Sequence, residues 1–191
     1  MQPDSPKTDS VDPNVFFPER LIITLITEPP GALAVFGAEN GMPLTIQRLP
    51  NLALDELLAP DGLLTTTLHA TPDLDAIAKV VVNLPESFTG KKEFLLHSRS
   101  GVGYLVHLLR WLKVPTIVMT TSDWRPQFDA AYGKRGAVDL VKEHFPPFFE
   151  EAYDDEQCAE AAMLSYLIVT NPKAPGIELS CSVTPRSHKG P

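Results

Sequence analysis

The stretch that decides the fold is residues 21 to 49, which read LIITLITEPPGALAVFGAENGMPLTIQRL. Leu21 to Thr27 is rich in β-branched residues, and this composition predicts a buried strand. The Glu-Pro-Pro-Gly sequence at 28–31 is a turn signal before a second strand at 32–36. Asn40-Gly41 favours a hairpin turn ahead of a third strand at Leu44–Leu49. The first third of the chain therefore predicts an antiparallel meander.

Strand-like and helix-like segments alternate in the middle of the chain. The predicted pairs are strand Leu64–His69 with helix Pro72–Leu84, strand Glu93–His97 with helix Gly101–Lys113, and strand Thr116–Thr121 with helical pieces up to His144. Such alternation predicts parallel strands joined by right-handed crossovers. A further helix is expected at Asp154–Val169. The strictly alternating segment Ile177–Val183 predicts a closing edge strand.

These elements predict a single α/β domain over residues 17–183. Its expected architecture is a single mixed sheet with helices on both faces. The sheet would contain the antiparallel N-terminal meander, the parallel βα units and an antiparallel closing strand. Residues 1–16 and 184–191 have no apolar pattern, and we expect them to be disordered tails.

Composition excludes several classes of protein. The chain has 191 residues, a net charge of −8 and only two cysteines, Cys158 and Cys181, too few for a disulfide framework. No signal peptide is visible, and no apolar run approaches the ~20 residues that span a bilayer. The expected location is therefore the cytoplasm, with no membrane partner. The acidic balance disfavours general nucleic-acid binding, which depends on Lys and Arg neutralising phosphates.

The segment from Ser98 to Gly103 is the strongest candidate binding site. It reads Ser98-Arg99-Ser100-Gly101-Val102-Gly103 and joins a predicted strand to a predicted helix. Small residues let backbone N–H groups turn inward, and a helix N-terminus adds partial positive charge, so together they form an anion site. Arg99 could offer a guanidinium fork to a phosphate. A plain helix cap by Ser98 or Ser100 is the alternative interpretation.

The same segment is similar to two known loops. Residues 93–122, with Ser98-Arg99-Ser100-Gly101 before a helix and a strand ending in Thr120-Thr121-Ser122, resemble the phosphosugar-binding loop of sugar-isomerase domains. His97-Ser98 followed by Gly101 also resembles the cradle loop of cysteine phosphatases and rhodaneses. Ser98 stands at the cysteine position of that loop, so this second resemblance implies binding without the thiolate chemistry.

A second motif raises the possibility of a metal. His69-Ala70-Thr71-Pro72-Asp73-Leu74-Asp75-Ala76-Ile77 resembles the first metal motif of DHH phosphoesterases. The resemblance implies that His69, Asp73 and Asp75 hold a divalent metal such as manganese, which would activate water. The alternative is the start of helix Pro72–Leu84, with Thr71 as its cap. We predict that the three side chains do not converge on an ion, and hence no cofactor.

Further polar residues are expected beside the anion loop. Parallel strands bring their carboxyl ends to one edge of a sheet, where ligands bind in open α/β folds. The expected pocket residues at that edge are His69, Thr121, Ser122, Asp123 and Trp124. A turn before Pro126 is the competing explanation for residues 120–123.

A protein partner is the rival class of function. Tyr104, Leu108 and Trp111 form a second apolar stripe on the predicted helix, at i, i+4 and i+7. Phenylalanines are interspersed with acids between Glu143 and Glu160, and we call this the acidic-aromatic segment. Its pattern is typical of a solvated surface or of a segment that docks a basic partner. The sequence thus leaves three hypotheses: a protein that binds a small phosphorylated ligand, a regulatory or inhibitory protein-interaction module, and a metal-dependent phosphoesterase. The second apolar stripe also allows a homodimer.

Overall fold

A single mixed sheet forms the centre of the protein. The computed structural model describes residues 20–28, 30–49, 74–86, 101–145, 154–171 and 177–179. The strands are β1 (Leu21–Ile26), β2 (Ala32–Gly37), β3 (Pro43–Arg48), β4 (Ile77–Leu84), β5 (Thr116–Thr120) and β6 (Ile177–Leu179). Their order in the sheet is β3-β2-β1-β4-β5-β6.

The strand directions confirm the predicted mixed sheet. β1, β2 and β3 pair antiparallel, as the turn signals between them indicate. β4 lies parallel to both β1 and β5 in the centre of the sheet. β6 closes the sheet antiparallel to β5, with Val118 opposite Ile177. A meander, a parallel centre and an antiparallel closing strand are present, as predicted. The parallel strands are β1, β4 and β5, and of the three strands predicted for the centre only Thr116–Thr121 lies within the described residues.

The prediction of a helix over Pro72–Leu84 is wrong. Leu74–Ala76 forms one turn of 3-10 helix, and β4 follows directly at Ile77. Ile77, Val80, Val81 and Leu84 satisfy the helical i, i+3, i+4, i+7 spacing, so periodicity alone does not exclude a helix. The run of three valines favours a strand, and a strand with parallel neighbours on both sides is buried on both faces.

Within the described residues, four helices pack on the two faces of the sheet. They are α1 (Gly101–Trp111), α2 (Thr121–Tyr132), α3 (Ala137–His144) and α4 (Glu156–Thr170). α1 covers one face through Leu105 and Leu109, which pack with Val80 and Val82 of β4. The other three helices share a second core on the opposite face, with Trp124, Leu140 and Leu164 among its members. The result is a three-layer α/β arrangement.

Alternate side chains of β1 contribute to the two hydrophobic cores on opposite faces of the sheet. Ile23 and Leu25 face the α1 side, whereas Ile22 and Ile26 face the α4 side. Thr24 lies on the α4 side and is completely buried, and its hydroxyl is 2.8 Å from the Ser165 hydroxyl of α4. A buried polar group must be hydrogen-bonded, so this pair aligns α4 with the central strand.

Several predictions fall outside the described residues. These are the strands Leu64–His69 and Glu93–His97 and the two tails at 1–16 and 184–191. None of the described helices is both long enough and apolar enough to cross a membrane.

Candidate functional site

The carboxyl edge of the parallel strands is the natural place for a ligand. β1, β4 and β5 all end there. The chain leaves β1 toward β2 on one side and leaves β4 toward β5 on the other, so neighbouring connections diverge between β1 and β4. In open α/β sheets, ligands bind in the crevice outside such a switch point.

Asn83 joins the three strand ends at this edge. Its backbone carbonyl accepts hydrogen bonds from the Thr27 N–H at 3.0 Å and the Thr27 hydroxyl at 2.9 Å. Its side-chain oxygen accepts from the Trp124 indole N–H at 3.1 Å, and its amide nitrogen donates to the Thr121 hydroxyl at 3.3 Å. Asn83 is buried, so these contacts satisfy a polar side chain that has little access to water.

Glu86 places a carboxylate on the N-terminus of α2. One carboxylate oxygen accepts from the Ser122 backbone N–H at 2.5 Å, and the other accepts from the Ser122 hydroxyl at 2.7 Å. Helix N-termini bind anions because their first N–H groups have no partner within the helix. The α2 N-terminus thus holds a negative group that the chain itself supplies from the end of β4.

The other residues predicted around Ser122 organise the start of α2. The Asp123 carboxylate accepts from the Thr120 N–H at 2.6 Å and lies 3.0 Å from the Thr120 hydroxyl, as in a capping box. Trp124 is completely buried and packs edge-on against Phe128, 5.5 Å away between ring centroids. Thr121, Ser122 and Asp123 therefore lie at the edge, whereas the Trp124 ring lies in the core.

The predicted anion loop leads into α1 at the same edge. α1 begins at Gly101, as expected, and Gly103 lies in its first turn. Residues 112–115 connect its last turn to the start of β5, which places the N-terminus of α1 at the carboxyl edge. Ser98, Arg99 and Ser100 lie outside the described residues, so their part in an anion site stays a prediction.

The hairpin turn after β1 is fixed by α4. The Gln157 side chain accepts from the Gly31 N–H and donates to the Glu28 carbonyl, both at 3.0 Å. Gly31 has a φ of 81°, a left-handed conformation that glycine adopts without strain. Asp155 caps α4 by accepting from the N–H groups of Gln157 and Cys158. The N-terminus of α4 thus also faces the carboxyl edge.

Carboxylates near α4 perturb one another. Partial burial, followed by the negative charge of Glu156, raises the pKa of Glu160, while Arg125 acts in the opposite direction. The Arg125 guanidinium lies 3.7 Å from Glu160 and 3.0 Å from Asp129. Perturbed carboxyls are common in functional sites but also occur in structural ion-pair networks such as this one.

The metal hypothesis gains no support from the residues that the structure describes. His69 and Asp73 lie outside them, and Asp75 is exposed in the short 3-10 turn before β4. Within the described ranges, no group of three or more His, Cys, Asp or Glu side chains could hold a metal ion. From Leu74 onward, where the structure describes this segment, a 3-10 turn and β4 stand in place of the predicted helix.

The structure describes part of each of the two predicted interaction surfaces. On α1, Leu108 is half-buried and Trp111 is 78% exposed, while the Tyr104 side chain lies outside the described atoms. In the acidic-aromatic segment, Phe145 is buried against Phe36 and Glu143 pairs with Arg135 at 2.6 Å. These contacts give the described part of that segment a structural role.

Sequence reasoning missed Asn83 and Glu86. Both follow from β4, which the sequence placed in a helix, so neither residue was expected at the carboxyl edge. The signal that could have revealed them is the polar pair that ends the valine run, in Val-Val-Val-Asn-Leu-Pro-Glu. Comparison with protein-family models, curated proteins and solved structures found no match to this chain.

Proposed function

We propose that the protein binds a small anionic ligand, with phosphorylated compounds as the expected class, at the carboxyl edge of β4 and β5. The observation that carries this proposal is the Glu86 carboxylate on the Ser122 N–H and hydroxyl. It is an anion held by helix N-terminal groups at the edge where the α1 N-terminus also lies. The Ser98–Gly103 segment would supply the cradle, with Arg99 assisting.

The energies involved support weak to moderate affinity. A helix dipole contributes about 0.3–1 kcal/mol to a nearby negative charge. Hydrogen bonds from a charged group such as Arg99 add about 1.5–3 kcal/mol. The cytoplasm is the proposed location, because the two cysteines suit a reducing compartment.

Calorimetric titration tests the proposal with inorganic phosphate, a hexose phosphate and a nucleoside monophosphate. We expect heat with at least one of them. Gly103→Asp should abolish binding with the fold retained, because it adds a carboxylate to the first turn of α1. Ser98→Ala should cost on the order of 1 kcal/mol, as loss of one cap or bond does. Absence of heat with all three ligands, in protein shown to be folded, would contradict the proposal.

A second candidate function is protein interaction through α1. The observation that favours it is Trp111, which remains 78% exposed at the end of a helix whose other face is buried. Tyr104, Leu108 and Trp111 would form the contact. A partner protein and a second copy of the chain both fit this candidate, and sedimentation velocity separates them by showing whether the purified protein self-associates.

A further inference from the structure

The outward face of α1 combines an exposed aromatic ring with positive charge. His107, Arg110 and Trp111 are spaced i, i+3 and i+4, so they share one face of the helix. All three are exposed, whereas Leu105 and Leu109 on the opposite face are buried. We call His107, Arg110, Trp111 and the exposed Lys113 beyond them the α1 face.

The α1 face is positive although the chain as a whole is acidic. The protein carries 24 acidic residues and a net charge of −8, yet residues 101–113 contain no acid. Elsewhere, Arg48, Arg125 and Arg135 each pair with a carboxylate. Across the described parts of the chain, no ion pair involves a cation of the α1 face. It is a positive, aromatic patch on an acidic protein.

Lys113 adds a positive charge to this face although its backbone conformation is one that favours glycine. Its φ is 58°. The Lys113 N–H donates to the Arg110 carbonyl at 3.1 Å, and the Val114 N–H donates to the Leu109 carbonyl at 2.9 Å, which is the Schellman pattern. Glycine is the usual residue at the left-handed position of that motif, because a Cβ is unfavourable there.

We propose that the α1 face binds an acidic segment of a partner protein that carries an apolar anchor. The positive charges match an acidic partner, and complementary charge sets specificity and the rate of encounter. Trp111 provides the apolar contact, and Trp and Arg are the residues most enriched among those that dominate interface energies. A nucleic acid fits less well, because its affinity depends on neutralising several phosphates, and the α1 face has only Arg110 and Lys113 as permanent cations.

Fluorescence anisotropy tests this proposal with the full chain. The probe is a labelled synthetic peptide of repeated Glu-Glu-Leu-Phe units, compared with its Gln-Gln-Leu-Phe counterpart. We expect the acidic peptide to bind, the glutamine peptide to bind much more weakly, and added salt to weaken the acidic peptide. Trp111→Ala should reduce affinity by about tenfold or more. Lys142→Glu, an exposed change on α3, is the control and should leave affinity unchanged.

Lys113→Gly separates a role in binding from a purely structural role, because it should change stability and peptide affinity in opposite directions. We expect it to raise the thermal midpoint, because it relieves the left-handed lysine, and to weaken peptide binding about threefold through loss of one charge. A gain in stability with unchanged binding would remove Lys113 from the face.

Three outcomes would overturn the proposal. One is no binding of the acidic peptide by wild-type protein. Another is binding of a poly-thymidine oligonucleotide in preference to the peptide. The third is concentration-dependent self-association that Trp111→Ala abolishes, which would assign the face to a second copy of the chain.

Discussion

The carboxylate of Glu86 accepts hydrogen bonds from both the backbone N–H and the hydroxyl of Ser122. This contact ties the end of β4 to the start of α2 and places a negative charge where an external anion would bind. In the proposed function, Glu86 therefore competes with the ligand for the α2 N-terminus.

Glu86→Gln should strengthen phosphate binding. The substitution removes one negative charge but keeps an oxygen that can accept from Ser122. Relief of a repulsion of about 1 kcal/mol raises affinity roughly fivefold. Calorimetry on the variant measures this directly. Glu39→Gln, in the exposed turn after β2 at the opposite edge of the sheet, is the control. An equal or weaker affinity in Glu86→Gln would exclude competition by Glu86.

Asn83 should be important for stability. Asn83→Ala leaves the buried Trp124 indole N–H without the oxygen that it now contacts at 3.1 Å. An unsatisfied buried donor costs about 1–3 kcal/mol. Urea unfolding should show this loss. Asn171→Ala is the matched control, because its amide makes only a long 3.4 Å contact with Gln127 near the surface, and its cost should stay within about 0.5 kcal/mol. Similar losses in the two variants would refute the special role of Asn83.

The buried hydroxyl pair between β1 and α4 should show strong coupling. The Ser165 hydroxyl lies 2.8 Å from the Thr24 hydroxyl and 2.9 Å from the Ala161 carbonyl. Thr24→Val or Ser165→Ala alone removes one partner, and each should cost about 1–2 kcal/mol. The double variant should cost less than the sum, since no hydroxyl is then left without its partner. Strict additivity in urea unfolding would argue against the pair.

Glu160 and Glu143 should affect the pH dependence of folding stability in opposite directions. The raised pKa of Glu160 means that the folded state holds this proton to higher pH than the unfolded state does. The native state therefore loses stability as pH rises from the ordinary glutamate pKa through the raised value. Glu160→Gln should remove that loss and be more stable than wild type at neutral pH.

Glu143 provides the contrasting case. Its hydrogen bond with Arg135, together with the positive charge, lowers the pKa of the Glu143 carboxyl. This contribution to stability is present above the ordinary glutamate pKa and is lost as pH falls through the lowered value. Glu143→Gln should therefore be slightly less stable than wild type at neutral pH. Urea midpoints across a pH series test both glutamates, and changes of the same sign in the two variants would contradict this assignment.

The sequence predicts most of the described fold because local signals agree with tertiary structure. Asn40-Gly41 marks the turn between β2 and β3, and the alternation after Ile177 marks β6. Gly101 marks the start of α1. In each case the turn residues, periodicity and burial favour the same element.

β4 shows where local signals fail. Its apolar residues fit a helix as well as a strand, and only its two parallel neighbours decide between them. Because Asn83 and Glu86 depend on that assignment, the sequence predicts Ser122 and Asp123 at the edge but not the groups that contact them. Trp124 is equally beyond sequence reasoning, since its burial depends on α2 packing against the sheet.

Amide chemical shifts during a phosphate titration test the central claim most directly. The proposed anion site predicts saturable shifts of the Gly101, Gly103 and Ser122 backbone amides, which begin α1 and α2 at the carboxyl edge. The Gly41 amide, in the turn at the opposite edge, should not move. Unchanged Gly101, Gly103 and Ser122 amides at saturating phosphate, in folded protein, would contradict an anion site at this edge.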